Sequence, residues 1–377
     1  MRAFLAFEIA AIAPLLAFVA ACASPSDRNA NDAADDADAA DGAADDDADD
    51  DGPAPVVTGV EVRDVQIPGS LHVQGLTVPG KLFVPTLADG EPLPAVLVLH
   101  GSGGLFAQHD PPDPARPCSP ELEPQFTRWG ERLARLGYVA LMPASFDPRG
   151  FCDYYSDSAR IPADFDDDRE RLVGRLYDAD AASRYLCGLR EVDCDRLGLL
   201  GFSNGASVLL LALHWQIDRA LAAFALSDGL DLQLPVEVLP AGRPEFQVGV
   251  AYYPGCGLEG IIHFSTDPLG VSEDQFFPSA DLFIEHGGAD TLVDDCSVAA
   301  GRGRRELQAA AVAAARDVAD PYHVTVYPGA GHGFDNAGAA GTDEGSGSQR
   351  PEDLAARDAA LAAALAQFAV HLGGARP

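Results

Sequence analysis

The sequence of 377 residues predicts an α/β domain with a mostly parallel sheet. Short apolar runs that fit buried strands alternate with longer stretches that fit helices, as in a parallel sheet covered by helices. We find no internal repeat, and about 320 residues are enough to bury one large core. We therefore expect a signal peptide over residues 1–21, an acidic tether over residues 22–55 and one α/β domain over residues 56–374.

The first 21 residues have the pattern of an export signal. Arg2 precedes an apolar run that contains Glu8 and Pro14 and stops at small residues, which favours a signal peptide over a transmembrane anchor. The small residues directly before Cys22 resemble a bacterial lipoprotein box. That pattern implies cleavage before Cys22, acylation of this cysteine, and an exported protein anchored in a lipid bilayer at the cell envelope. The alternative is ordinary secretion with cleavage near Ala23.

Residues 24–55 consist almost entirely of Asp, Ala, Asn and Gly, with Arg28 as the single cation. Such a segment cannot bury enough apolar area to offset the entropy of ordering it, and its like charges extend it. Its Asp spacing does not match a rigid Ca²⁺ loop, so we interpret it as a solvated tether. The formal net charge of the whole chain is −33, which disfavours nucleic acid as a partner.

The predicted elements of the domain follow in chain order. Residues 56–84 give two or three extended segments, broken by Pro-Gly pairs, that suit an antiparallel start of the sheet. A last helix begins at Pro351 and ends at Gly373. We expect strands at residues 95–99, 139–142, 196–202, 280–285 and 322–327, helices at about residues 124–136 and 168–186, and one apolar face of the last helix formed by Leu354, Leu361, Leu365, Phe368 and Leu372.

Two proline-rich segments interrupt this alternation, at residues 106–125 and 228–246. Both are candidates for the rim of a binding pocket. Aromatic residues that suit either the pocket or the core are Phe151, Tyr154, Tyr155 and Trp215.

The most informative motif is Gly201-Phe202-Ser203-Asn204-Gly205, which follows an apolar strand and precedes a helix-compatible run. In that context a G-x-S-x-G motif predicts a sharp strand-to-helix turn that holds the serine hydroxyl clear of the sheet. The flanking glycines suit the turn because side chains there would collide with neighbouring backbone. Ser203 is therefore the candidate nucleophile, and the alternative is a tight turn with a buried serine.

Two further residues follow in the order Ser, Asp, His. Asp290 lies in a loop after a predicted strand, and His332 lies in a glycine-rich turn after the next one. A serine hydroxyl needs a base to take its proton, and the base needs an acid to fix its tautomer. We assign His332 and Asp290 to these roles, with Asp294 and Asp295 as alternative carboxylates.

Backbone N–H groups that bind an oxyanion are expected at two places. One is the residue after the nucleophile, Asn204, and the other is the loop after the strand at residues 95–99. That loop is glycine-rich and offers Ser102 or Gly103 as the second donor. The alternative is a flexible turn with no role in binding.

Several short segments together resemble the dienelactone hydrolase family of α/β-hydrolases. They lie in the family's order between about residues 90 and 370. The resemblance implies the α/β-hydrolase fold, with a mostly parallel sheet of eight strands flanked by helices. It also implies hydrolysis of a small ester or lactone through a covalent acyl-enzyme. The matching segments are residues 100–104, 137–140, 145–150, 201–205, 251–256, 288–290 and 327–334.

One departure from that family changes the expected substrate. The name-giving enzymes use cysteine as the nucleophile, whereas this chain has Ser203. We therefore expect ordinary ester hydrolysis in preference to dienelactone turnover. Two alternatives are a serine peptidase or acyltransferase on the same fold, and a catalytically silent binding lipoprotein. We expect no cofactor and no metal, because no C-x-x-C or H-x-x-x-H spacing occurs.

The seven cysteines divide into one plus six if Cys22 carries lipid. An even number in an exported protein is typical of disulfides, and six cysteines allow 15 pairings. Proximity in the chain and the expected fold favour three of these pairs. They are Cys118–Cys152, Cys187–Cys194 and Cys256–Cys296, and the alternative is free buried thiols.

Overall fold

The computed structural model describes residues 57–69, 75–87, 91–108, 118–155, 158–162, 168–221, 239, 241–258, 275–339 and 345–373. The predicted signal peptide, the tether with Cys22 and most of the proline-rich segment at residues 228–246 lie outside these ranges. The described strands are β1 (Val57–Pro68), β2 (Thr77–Leu87), β3 (Leu93–Leu99), β4 (Phe106–Gln108), β5 (Cys118–Leu122), β6 (Val139–Pro143), β7 (Val192–Phe202), β8 (Val248–Tyr252), β9 (Asp281–Gly287) and β10 (Tyr322–Tyr327).

Eight of these strands form one sheet in the order β1-β2-β6-β3-β7-β8-β9-β10. Strand β2 runs antiparallel to both of its neighbours, and the remaining neighbours pair in parallel. The mostly parallel sheet of eight strands is that of the α/β-hydrolase fold, so the predicted fold class is confirmed. The short strands β4 and β5 form a separate antiparallel pair, which the sequence analysis missed in the proline-rich segment.

Helices cover both faces of the sheet and bury two apolar layers. The described α-helices are α1 (Pro124–Arg135), α2 (Asp168–Cys187), α3 (Asn204–Ala212), α4 (Arg304–Arg316) and α5 (Pro351–Leu372). Alternate residues of β3 point to opposite faces, so Leu97 packs in the layer under α2, α3 and α4, and Val98 packs in the layer under α1 and α5. Within the described residues, no helix is long and apolar enough to span a membrane.

Helix α5 has the predicted start but a different buried stripe. Its fully buried face consists mainly of small residues at a spacing of four, and Leu354, Leu361 and Leu365 are only half-buried. A Cβ atom at Gly198 would lie 2.9 Å from the side chain of Leu372, so the helix and the sheet approach each other closely. The buried face is formed by Ala356, Ala360, Ala364, Phe368 and Leu372.

Two of the three predicted disulfides are bonded in the structure, Cys187–Cys194 and Cys256–Cys296. The third prediction was wrong, because no disulfide joins Cys118 and Cys152. The Cys152 Sγ donates to the Phe106 carbonyl at 3.0 Å, and the Cys118 Sγ donates to the Phe151 carbonyl at 3.6 Å. A hydrogen bond with Cys152, together with burial, raises the pKa of the Cys118 thiol. The two thiols therefore meet as predicted, but they are in hydrogen-bond contact and are not covalently joined.

Candidate active site

Ser203 lies between β7 and α3, on the turn that the motif predicts. Its φ of 50° and ψ of −118° are strained for a residue with a side chain. A Cβ atom at Gly205 would overlap the carbonyl oxygens of Leu99 and His100, and one at Gly201 would lie 2.7 Å from the Gly205 carbonyl oxygen. Both positions therefore need glycine for the turn to form.

The structure brings the three candidate triad residues into one hydrogen-bonded chain. The His332 Nε2 lies 2.8 Å from the Ser203 Oγ, and the His332 Nδ1 lies 2.6 Å from the Asp290 Oδ2. Asp290 and His332 follow the parallel strands β9 and β10, whose carboxyl ends lie on the same edge of the sheet as that of β7. The neighbouring Asp294 and Asp295 lie in the following 3-10 helix and do not contact the imidazole.

Asp290 is held in its ionised form. Burial opposes ionisation, but hydrogen bonds from His332 and from the Leu292 N–H outweigh it, so the pKa of Asp290 lies below its ordinary value. A carboxylate at Nδ1 accepts the imidazole N–H and leaves Nε2 free to accept the proton of the Ser203 hydroxyl. The arrangement therefore suits proton transfer from serine to histidine.

A second imidazole, His286, lies on the far side of Asp290. Its Nδ1 is 3.6 Å from the Asp290 Oδ2, and its Nε2 donates to the Pro254 carbonyl at 3.2 Å. Burial lowers the pKa of His286, although the Asp290 charge opposes this. This ring is fully buried, and the lowered pKa favours its neutral form beside the carboxylate.

Two consecutive carbonyl groups in the loop after β3 accept hydrogen bonds. The His100 Nδ1 and the Gly104 N–H donate to the Gly101 carbonyl, and the Tyr154 N–H donates to the Ser102 carbonyl. The same loop carries the amide N–H groups of Ser102 and Gly103. Within the described residues, these two groups and the Asn204 N–H have no hydrogen-bond acceptor, as an oxyanion hole requires.

Tyr253 supports the His332 ring, and the sequence analysis did not assign it a role. The two rings lie 4.5 Å apart, and the Tyr253 hydroxyl donates to Asp335. The other Asp335 oxygen accepts from Gln125 at 2.8 Å. Burial raises the pKa of Asp335, while these hydrogen bonds oppose the shift. Tyr253 has a positive φ of 41°, an uncommon backbone conformation that only the structure reveals.

A cavity of about 320 Å³ opens in front of Ser203. Tyr155 lies at the cavity and is 68% exposed, whereas Phe151 is fully buried against Phe146. Trp215 packs on Phe277 instead. The described lining consists of Gly101, Ser102, Gly103, Gly104, Gln125, Phe126, Asp153, Tyr155, Phe202, Ser203, Tyr253, His332, Gly333 and Asn336.

Comparison with known proteins gives a distant relative. No protein-family model matches the chain. A protein of Bradyrhizobium sp. is 26% identical over 203 residues, 54% of this chain, and is named a probable 2-oxo-3-(5-oxofuran-2-ylidene)propanoate lactonase. The match spans 64% of that relative's length, less than two thirds.

Solved structures with similar folds have low sequence identity. One is a dienelactone hydrolase-like promiscuous phosphotriesterase from metagenomic libraries, with 17% identity, a TM-score of 0.48 and coverage of 83% of this chain and 99% of the other. Another is Thermogutta terrifontis esterase 2 phosphorylated by paraoxon, with 17% identity, a TM-score of 0.48 and coverage of 85% and 97%.

Glu285, on β9 beside the candidate site, predicts a pH-dependent stability. It is 2% exposed, accepts from the Tyr327 hydroxyl at 2.6 Å, and burial raises its pKa to about 7. An acid whose pKa is higher in the folded chain than in the unfolded chain contributes its full stabilisation at a pH below the unfolded-state pKa. This contribution is lost as the pH rises to the folded-state pKa of about 7. We expect Glu285→Gln to raise the free energy of unfolding at pH 8 by about 3 kcal/mol relative to its effect at pH 4.

Urea unfolding of the wild type and Glu285→Gln between pH 4 and pH 8 measures this difference. Glu91→Gln, at an exposed position, is the control and should leave the pH profile unchanged. Parallel profiles for the wild type and Glu285→Gln would show that Glu285 is ionised to the same extent in the folded and unfolded chains.

Proposed function

We propose that this protein is a serine hydrolase that cleaves a carboxylic ester or lactone through an acyl-enzyme. The observation that carries the proposal is the hydrogen-bonded chain from Ser203 through His332 to Asp290. The candidate oxyanion donors and the cavity in front of the serine support it. The partial match to a protein named as a lactonase agrees with this reaction class.

The reaction follows from the geometry in two halves. The Ser203 Oγ attacks the substrate carbonyl carbon while the His332 Nε2 takes the hydroxyl proton, and the carbonyl oxygen becomes an oxyanion. His332 then gives this proton to the leaving alkoxide oxygen as the ester bond breaks. In the second half, His332 removes a proton from water, the hydroxide attacks the acyl carbon, and the proton returns to Ser203. Asp290 stabilises the imidazolium in both halves.

Removal of the nucleophile or the base should abolish turnover. We expect Ser203→Ala and His332→Ala to lower kcat for p-nitrophenyl esters by about four decades or more, and Asp290→Asn to lower it somewhat less. Ser183→Ala is the control, because this buried serine on α2 bonds to the Asp180 carbonyl outside the site. A fluorophosphonate should label the wild type and Ser183→Ala but not Ser203→Ala.

A Ser203→Ala protein that keeps wild-type turnover would overturn the assignment. A wild type that hydrolyses peptide amides faster than esters would indicate a serine peptidase on the same triad. Absence of both labelling and turnover would indicate a binding lipoprotein.

The charge of the cavity favours uncharged substrates. Within the described lining, the fixed charge is the carboxylate of Asp153, and neither Lys nor Arg occurs. The Bradyrhizobium relative is named for a propanoate, which is an anion. In this chain, the described lining presents a carboxylate and no arginine to an anionic acyl group, so the lining favours a neutral acyl group. We therefore propose that the substrates are neutral esters or lactones.

A preference for neutral substrates predicts that kcat/KM is at least about tenfold higher for p-nitrophenyl butyrate than for mono-p-nitrophenyl glutarate. This ratio corresponds to a difference of about 1.4 kcal/mol in activation free energy. Asp153→Asn should narrow the ratio, and so should 1 M salt, because screening weakens the repulsion. Equal kcat/KM values for the two esters in the wild type would contradict the proposal.

We also propose that Cys22 carries a lipid anchor and that residues 24–55 provide reach. The support is the run of small residues before Cys22 and the acidic segment without an apolar face. A diacylglycerol with an added acyl chain should anchor firmly, at about 0.8 kcal/mol per buried CH₂ group. Cys22→Ser should release the protein from membranes or leave it unprocessed, as fractionation and mass spectrometry would measure.

Deletion of residues 27–51 is the matched control and should leave both anchoring and kcat nearly unchanged. A Cys22→Ser protein that remains in the membrane fraction with its signal peptide removed would refute lipidation.

A further inference from the structure

Arg175, on helix α2, is a buried cation that connects two parts of the candidate site. It is 2% exposed. Its Nη1 donates to the Asn204 Oδ1 at 2.5 Å, and its Nη2 donates to the His100 carbonyl at 2.5 Å. One contact is on the nucleophile turn, and the other is on the loop after β3.

This arginine has no carboxylate within hydrogen-bond distance among the described residues. Asp178, one turn along α2, binds Arg149 at 2.8 and 3.2 Å instead. The Arg175 Nε also has no partner there. Burial lowers the pKa of Arg175 to about 9, and Asp178 opposes the shift. A buried charge without its own counter-ion destabilises a fold, so stability does not explain this residue.

Arg175 contacts both segments that carry the candidate oxyanion donors. Ser102 and Gly103 N–H groups lie on the loop after β3, and the Asn204 N–H lies on the nucleophile turn. The two ends of one planar guanidinium bind both segments, and a planar fork fixes the distance between its partners better than a flexible ammonium does.

We propose that Arg175 is the positioning residue of the oxyanion hole: it holds the Asn204 amide and the Ser102–Gly103 amides at the spacing that one oxyanion needs. This inference rests on the proposed hydrolase function. Its buried positive charge also favours the negative charge that develops on the substrate carbonyl oxygen.

The effect should appear in kcat more than in KM. A neutral ester carries no full charge on its carbonyl oxygen before attack, whereas the tetrahedral intermediate does. An interaction that strengthens only as this charge develops lowers the barrier of the chemical step without changing substrate affinity. A merely structural role would instead change stability or affect both constants.

The experiment compares Arg175→Met, Arg175→Gln and Arg175→Lys with the wild type on p-nitrophenyl butyrate. We expect Arg175→Met to lower kcat by about 100-fold with KM within about threefold, since loss of an oxyanion-hole donor has an effect of this order. Arg175→Lys keeps the charge, and its kcat should be about tenfold higher than that of Arg175→Met. The rate of labelling by a fluorophosphonate should fall in parallel with kcat. If Arg175→Met does not fold, Arg175→Gln and Arg175→Lys provide the comparison.

Coupling to the Asn204 side chain is tested by a double-mutant cycle. Asn204→Ala keeps the backbone N–H but removes the acceptor that Arg175 binds. The loss in Arg175→Met/Asn204→Ala should be smaller than the product of the two single losses, because both substitutions break the same contact.

Arg305→Met is the matched control, because Arg305 is also fully buried and donates to the carbonyls of Cys256 and Gly257. We expect kcat within about threefold of the wild type there, with Arg305→Lys as its substitute if the chain does not fold. The proposal for Arg175 fails if folded Arg175→Met keeps kcat within threefold, or if KM carries the whole effect, while Ser203→Ala is inactive. An active Ser203→Ala would instead overturn the proposed function itself.

Discussion

The close packing of the nucleophile turn against the end of β3 is the constraint on which the rest of the site depends. Gly205 lies so near the carbonyl groups of Leu99 and His100 that any Cβ atom would overlap them. This approach places the Asn204 amide beside the loop after β3 and holds Ser203 at a positive φ. Its hydroxyl can then meet the His332 imidazole, which arrives from β10.

The ionisable groups near this turn differ in the protonation state that their surroundings favour. Asp290 stays ionised because donors surround it, whereas Glu285, with one tyrosine donor, binds its proton up to about pH 7. Burial lowers the pKa of His286 and so favours its neutral form. The negative charge next to His332 is therefore concentrated on Asp290, where in the proposed reaction it would stabilise the imidazolium that forms when the serine is deprotonated.

The sequence was sufficient to predict the fold class and the meeting of Ser203, Asp290 and His332, because the carboxyl ends of parallel strands share one edge of a sheet. It was not sufficient for Arg175, since arginines on a charged helix such as α2 usually lie in solvent and its partner is 29 residues away. Cys118 and Cys152 were misassigned because loop positions in the sequence indicate that two thiols are near each other but not whether they form a covalent bond. The contacts of Asp335 could not be predicted from the sequence either, because its partner Gln125 lies 210 residues earlier in the chain.

A formal net charge of −33, spread evenly over the chain, would disfavour a reaction that passes through an oxyanion. Exposed charges are screened over about 8 Å at physiological salt, however, whereas buried charges are screened much less. Arg175 lies fully inside the fold, directly behind the turn and the loop that carry the candidate donors. On the proposed mechanism, the local field at the oxyanion would therefore come mainly from this cation and the oriented amides. A neutral substrate would approach the acidic protein without repulsion, and negative charge would develop only near the buried cation.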